Sequence, residues 1–240
     1  MNIFKYLTIA ALLIGIVCVY LFMRPIWVPM YQKVVGKQTV SDVVSRYESE
    51  THNRLEPFFQ KAGIQYPPSQ VTLLAIKDTK QLELWVTHGN KQVYVRSYPI
   101  LAASGVLGPK LKEGDKQVPE GIYGLEYLNP NSAFHLSMKL NYPNQFDLKN
   151  AQIEGRTEPG TNIFIHGKAV SIGCLAMGDE VIEELFILTT LVGKNSVSVA
   201  IAPSDPRKND ILKLASGKPE WVNELYIDLS NYFGKFQHDT

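Results

Sequence analysis

Residues 71–100, VTLLAIKDTKQLELWVTHGNKQVYVRSYPI, decide the fold. Three short runs rich in β-branched and aromatic side chains, 71–76, 82–86 and 93–100, alternate with turn residues such as His88-Gly89-Asn90. That is the pattern of consecutive strands. Downstream, 104–121 (SGVLGPKLKEGDKQVPEG) interrupts it, since its glycines admit positive φ and its prolines stop sheet pairing. Strand-like segments resume at 122–127, 134–140, 162–166 and 196–201. Asp179 reads as the N-cap of a helix running through Leu191 and ended by Gly193. From Pro219, the residues Trp221, Leu225, Leu229 and Tyr232 share one helical stripe, the pattern of core packing. Upstream, Val40, Val43, Val44, Tyr47, Thr51, Leu55 and Phe58 keep helical spacing behind a Thr39/Asp42 capping pair. Pro57 suits the start of a second short helix ending at Gly63, and Tyr66-Pro67-Pro68 marks the boundary. The expected fold is mainly β within an α+β class, with flanking helices at both ends.

The N-terminus adds a different element. Residues 6–23 are apolar except for Thr8 and end at Arg24-Pro25. At helical rise they span roughly 27 Å, close to a bilayer's hydrocarbon thickness. No small-x-small cleavage site follows, so the run is expected to be an uncleaved transmembrane signal-anchor, with Trp27 and Tyr31 at the interface. Arg24, Lys33 and Lys37 on the far side oppose a simple positive-inside assignment, but a long domain crosses largely regardless of charge. The expected organisation is an anchor over 1–24, a linker and helical shoulder over 25–69, a catalytic domain over 70–203 and a helical extension over 204–240. With 24 basic against 23 acidic side chains and no basic–aromatic ladder, nucleic-acid binding is excluded. Cys18 lies within the apolar run, which leaves Cys174 as the sole thiol of the remainder, with no internal disulfide open to it.

Residues 163–177, IFIHGKAVSIGCLAM, hold the candidate chemistry. An apolar strand delivers His166 at its end, and Gly167 lets the chain turn. Cys174 follows Gly173 just ahead of the Asp179 helix. An adjacent imidazole can take the thiol proton, and a glycine before the nucleophile leaves backbone amides free for an oxyanion. The Gly167 carbonyl could orient the imidazole, as a carboxylate does in a triad. Read alone, the pair also fits a buried structural thiol. A zinc site using His166, Cys174 and His135 lacks paired ligand spacing, so no metal is expected.

The stretch IHG-x3-S-x-GC-x2-M resembles the Cys–His motif of the YkuD-type L,D-transpeptidase domain. Gly114–Gly121 resembles that family's GD-x-x-TPEG segment, and Asn141-Tyr142-Pro143-Asn144 with Asp147 its YPN-x-x-D stretch. The resemblance covers roughly 70–203 and is nearest to the YafK-like branch, through LNPNSAFHLS and GPKLKEGD. It implies a β-sandwich catalytic domain with Cys174 as nucleophile, His166 as general base and acid, and Gly167 as the carbonyl steadying it. Ser171, Gly173 and the Cys174 amide are implied at the oxyanion wall, and Ile172, Tyr142, Asn144 and His135 are candidate substrate contacts. Asp115 and Pro119 read as loop architecture, and Lys110, Lys112 and Lys116 as solvated charges. Two positions depart from the family form: Ile172 replaces a second His, and Ala176 replaces Arg or Asn. The resemblance implies acyl transfer on peptidoglycan stem peptides without a cofactor, at the periplasmic face of an inner membrane. Hydrolysis of the link between an outer-membrane lipoprotein and murein is favoured. The alternatives are crosslinking or protein-attaching transpeptidation, and a non-catalytic peptidoglycan-binding module.

Overall fold

The computed structural model describes residues 2–238; Met1 and the last two residues, parts of the expected anchor and extension, lie outside them. Among the described residues, nine strands form two sheets. The first has the order β3-β2-β1-β9-β4 and is built from β1 (Val71–Ile76), β2 (Gln81–His88), β3 (Lys91–Pro99), β4 (Gly121–Tyr123) and β9 (Val197–Ala202). Its β1–β2–β3 meander is antiparallel, whereas β9 lies parallel to β1. The second has the order β5-β6-β7-β8, from β5 (Leu125–Ser132), β6 (His135–Leu140), β7 (Phe164–His166) and β8 (Leu175–Ala176).

Side-chain alternation explains the layering. Leu73, Ala75, Leu84, Val199 and Ile201 face one way and share a core with Met138, Leu140, Ile165 and Leu175 of the second sheet. Leu74, Ile76, Trp85 and Ala200 face the other way and are covered by Val222, Leu225, Tyr226, Leu229 and Phe233 of α6 (Trp221–Phe233). Both faces of β1 are therefore buried, and the strand reads as a continuous apolar run rather than an alternating one. On the expected α6 stripe, Leu225 and Leu229 are core residues, while Trp221 and Tyr232 sit partly buried at its edge.

The helices correct several sequence expectations. They hold more of the chain than strands do, so the molecule is mixed α+β; strands predominate only between 71 and 202. The helix α3 (Val40–Lys61), opened by the Thr39/Asp42 capping box, runs unbroken through Pro57, so there is no second helix. An interior proline costs about 3 kcal/mol. Burying Leu55 and Phe59 on either side of it, at about 1.5–3 kcal/mol each, offsets that cost. The expected strand over 122–127 is two strands in different sheets, split at Gly124, whose N–H donates to Asn141 Oδ1 at 2.9 Å. Gly178, at φ 83°, holds the N-cap position of α5 (Asp179–Val192) in place of Asp179. The Asp179 carboxylate is drawn away: it accepts the Lys168 backbone N–H at 3.0 Å and pairs with the Lys168 ammonium.

The N-terminal run forms α1 (Asn2–Phe22), followed by α2 (Arg24–Val35). Among the described residues no single helix is long and apolar enough to cross a membrane. Phe4–Tyr20 and Arg24–Val35, bent by 75° at the break, meet the requirement together. Apolar side chains along α1, among them Leu12, Ile14 and Ile16, are exposed. Arg24 Nε donates to the Ala133 carbonyl at 2.7 Å, tying the start of α2 to the β5–β6 turn.

Candidate active site

The parallel pairing of β7 with β8 places Ile165 opposite Leu175 and His166 opposite Ala176. Cys174, one residue before β8, therefore arrives beside the start of β7, and the loop 167–174 carries the chain between them. The Cys174 side chain and the His166 ring line one cleft of about 470 Å³, together with Lys110, Glu113, Lys116, Phe134, Asn162 and Ile172.

His166 is buried, and its Nδ1 lies 2.6 Å from the Gly167 carbonyl. A carbonyl only accepts, so Nδ1 carries the proton and Nε2 keeps a basic lone pair. Nε2 has no hydrogen-bond partner among the described residues. The Phe134 ring lies over the imidazole, with centroids 4.8 Å apart and planes inclined by 32°. Gly167 is fixed in turn by its N–H donating to Leu136 at 3.1 Å. A Cβ at Gly167 would come within 2.6 Å of the Phe134 carbonyl oxygen, so the position has no room for a side chain.

Cys174 is half-buried, and its thiol donates to the Asn162 carbonyl at 3.8 Å, a long contact. Thiol and imidazole are not hydrogen-bonded to each other in this state, although such bonds commonly tighten only around substrate. Burial pushes the Cys174 thiol above its ordinary pKa, opposed by the Phe164 backbone amide and the Lys110 charge. Burial pushes His166 below 6.5, opposed by its bond to Gly167. Both shifts favour uncharged groups, so the resting pair is thiol and imidazole.

The amides expected to stand free are engaged. The N–H groups of Gly173 and Cys174 donate to Ser171 Oγ at 3.3 and 3.1 Å, and the Ser171 hydroxyl donates to the Cys174 carbonyl at 2.6 Å. A short hydroxyl side chain captures local amides readily. Gly173 has φ 118°, a region that favours glycine, and Ile172 is 77% exposed at the cleft rim.

Three expected substrate contacts lie elsewhere. Tyr142 is buried, and its hydroxyl donates to the Pro159 carbonyl at 2.8 Å. Asn144 caps α4 (Gln145–Ile153) in a reciprocal box with Asp147, and its amide donates to the Ile122 carbonyl at 3.1 Å. His135, at φ 78°, pairs through Nε2 with Glu183 at 2.8 Å and faces a different cavity beside α2. These polar groups are spent on architecture. Lys110 is also not solvated: it is 6% exposed and paired with Asp115 at 2.5 Å. Asp115 further accepts the backbone N–H groups of Leu111, Lys112 and Gln117, which organises the loop. Phe134, Asn162 and Glu113 line the cleft without having been singled out from the sequence. For Phe134 the available signal was its place in LNPNSAFHLS, directly before His135.

A thiol and a proton-accepting imidazole, delivered to one cleft by neighbouring parallel strands, define a cysteine–histidine site suited to acyl transfer. The family model for the YkuD L,D-transpeptidase catalytic domain matches residues 71–199, more than half of the chain. The chain belongs to that family. It is 35% identical over 140 residues to YafK of Escherichia coli K12, whose own designation as an L,D-transpeptidase is provisional. The alignment covers 56% of this chain and 54% of YafK, so the chain spans about half the length of that relative. Among solved structures, the helical cell shape determining protein Pgp2 of Campylobacter jejuni is 18% identical, with a TM-score of 0.47 over 77% of this chain and 78% of Pgp2. L,D-transpeptidase 1 of Mycobacterium tuberculosis is 12% identical, with a TM-score of 0.31 over 55% of this chain and 62% of its own.

Proposed function

We propose that the protein is a cysteine acyl-transfer enzyme acting on peptidoglycan stem peptides, with Cys174 as nucleophile and His166 as general base and then acid. The observation that carries this reading is the His166 Nδ1–Gly167 bond, which leaves Nε2 as the proton acceptor in the cleft that holds the Cys174 thiol. Nε2 takes the thiol proton as sulfur attacks the carbonyl carbon at the L-centre of the third stem residue. The Gly173 and Cys174 amides leave Ser171 Oγ for the oxyanion, an exchange of one acceptor for a charged and stronger one. Imidazolium protonates the departing amine, the C–N bond breaks and a thioester remains. Water, deprotonated by His166, attacks the thioester, giving a free carboxyl and restoring the thiol.

Water is the acceptor in this reading, and the amide tying an outer-membrane lipoprotein to murein is the bond cleaved. The YafK-like sequence stretches support that assignment. The exposed apolar surface of α1 supports an anchor in the inner membrane, with the catalytic domain on the periplasmic face. The test is mass spectrometry of murein after incubation with wild-type and Cys174→Ala protein. Hydrolysis predicts loss of lipoprotein from lipoprotein-linked sacculi without new crosslinks, and only with the wild type. New 3-3 crosslinked dimers would make the acceptor an amine. Complementation of a deletion by Cys174→Ala would show a binding module and end the enzymatic reading.

A further inference from the structure

Besides the Cys174 thiol, four side chains lining the cleft can carry charge: Lys110, Glu113, Lys116 and His166. The His166 imidazole is held neutral by burial, and Lys110 is neutralised by Asp115. Glu113 and Lys116 are both exposed, and among the described residues neither forms an ion pair, with each other or with any third group. Both are placed rather than loose. Glu113 Oε2 accepts the Thr161 backbone N–H at 2.8 Å, which fixes the carboxylate and leaves Oε1 open. The Lys116 carbonyl accepts the Ser104 hydroxyl at 2.7 Å, and its backbone holds φ 56°, uncommon for a side-chain-bearing residue. This segment abuts the nucleophile loop: a Cβ placed on Gly173 would lie 3.4 Å from the Gln117 carbonyl oxygen and 3.8 Å from the Lys116 carbonyl carbon.

We propose that Glu113 and Lys116 form a subsite for a zwitterionic amino-acid head, with Glu113 taking the ammonium and Lys116 the carboxylate borne by the same carbon. Within the stem-peptide reading, on which this rests, the matching group is the D-centre of a diaminopimelate residue. A lysine in its place offers the ammonium alone. Lys116 also supplies a carboxylate-binding cation in a site where Ala176, buried in β8, stands at the family's Arg or Asn position.

The test measures binding by calorimetry to Cys174→Ala protein, so no turnover is needed. The ligands are a stem tripeptide ending in meso-diaminopimelate, its D-centre carboxamide and its D-centre N-acetyl derivative. For exposed charges the expected preference for the free zwitterion over either derivative is about fivefold. Adding Lys116→Gln erases the preference over the carboxamide alone, and Lys116→Arg restores it. Adding Glu113→Gln erases the preference over the N-acetyl derivative alone. Equal binding of all three peptides, binding of none, or a uniform loss across ligands in either variant overturns the subsite. Failure of wild-type protein to turn over a diaminopimelate peptide that binds with this crossed pattern refutes acyl transfer and leaves the subsite standing.

Discussion

Gly167→Ala places a methyl group at the most crowded point beside His166. The new carbon meets the Phe134 carbonyl oxygen at 2.6 Å, Asp179 Oδ1 at 2.8 Å and His135 Cβ at 3.1 Å. Ordinary contact begins at 3.4 Å, so the backbone on one side has to move by about 0.8 Å. None of the obstacles is the free end of a flexible chain. One is backbone, and Asp179 is held by Lys168. Overpacking of this kind costs about 1–3 kcal/mol. For a protein of this size the midpoint falls by about 2–4 °C per kcal/mol, so a drop of roughly 2–12 °C is expected. The same displacement pulls the Gly167 carbonyl off His166 Nδ1 and tilts Phe134 against the ring. Loss of one positioning hydrogen bond of about 1–1.5 kcal/mol slows acylation of Cys174 by about fivefold to tenfold. The assay pairs scanning fluorimetry with the rate of carbapenem labelling read by intact mass, taken well below the variant's midpoint so that unfolding does not contribute. A midpoint within a degree of wild type, with labelling within twofold, would refute the argument that Gly167 is fixed by the crowding around the imidazole.

Other outcomes follow from the same geometry. With the Cys174 thiol raised above its ordinary range by burial, the thiolate is the minor form at neutrality. Iodoacetamide alkylation therefore climbs about tenfold per pH unit between pH 6 and 8, whereas an ion-paired thiolate would plateau below neutrality. His166, held below 6.5, stays in its base form at pH 7, and the acid limb of kcat/KM for stem-peptide cleavage falls below pH 6.5. Tyr142→Phe removes the 2.8 Å bond to Pro159 and lowers stability by about 1 kcal/mol in urea titration, with KM unchanged because the hydroxyl does not reach the cleft.

The sequence exposed those features whose causes are local. The β1–β3 meander announced itself through β-branched runs and turns, and the Thr39/Asp42 box through its three-residue spacing. The bond from His166 to Gly167 lies between neighbours in the chain, and a glycine after a strand-end histidine hinted at it. What stayed hidden depends on partners far along the chain. Gly124 divides one strand-like run between two sheets because β9 claims 121–123 and β6 claims the residues beyond, and neither competitor is visible within the run. Pro57 stays helical because distant core surface is available to Leu55 and Phe59. Phe134 reaches His166 only through the β6–β7 register, which sets Ser137 opposite the histidine. Polar residues misled for one reason: a cap, a carbonyl tether and a substrate contact draw on the same chemistry, and spacing cannot say which partner arrives first. For Asn144 the partner is Asp147, three residues on; for Tyr142 it is Pro159; for Lys110 it is Asp115. Once those groups have paired inside the fold, Glu113 and Lys116 remain as the charges at the cleft with no internal counterpart among the described residues. On the proposed acyl-transfer reading, specificity in this site falls to the charged side chains that folding leaves unpaired, while reactivity falls to a half-buried thiol and a buried imidazole that folding keeps neutral.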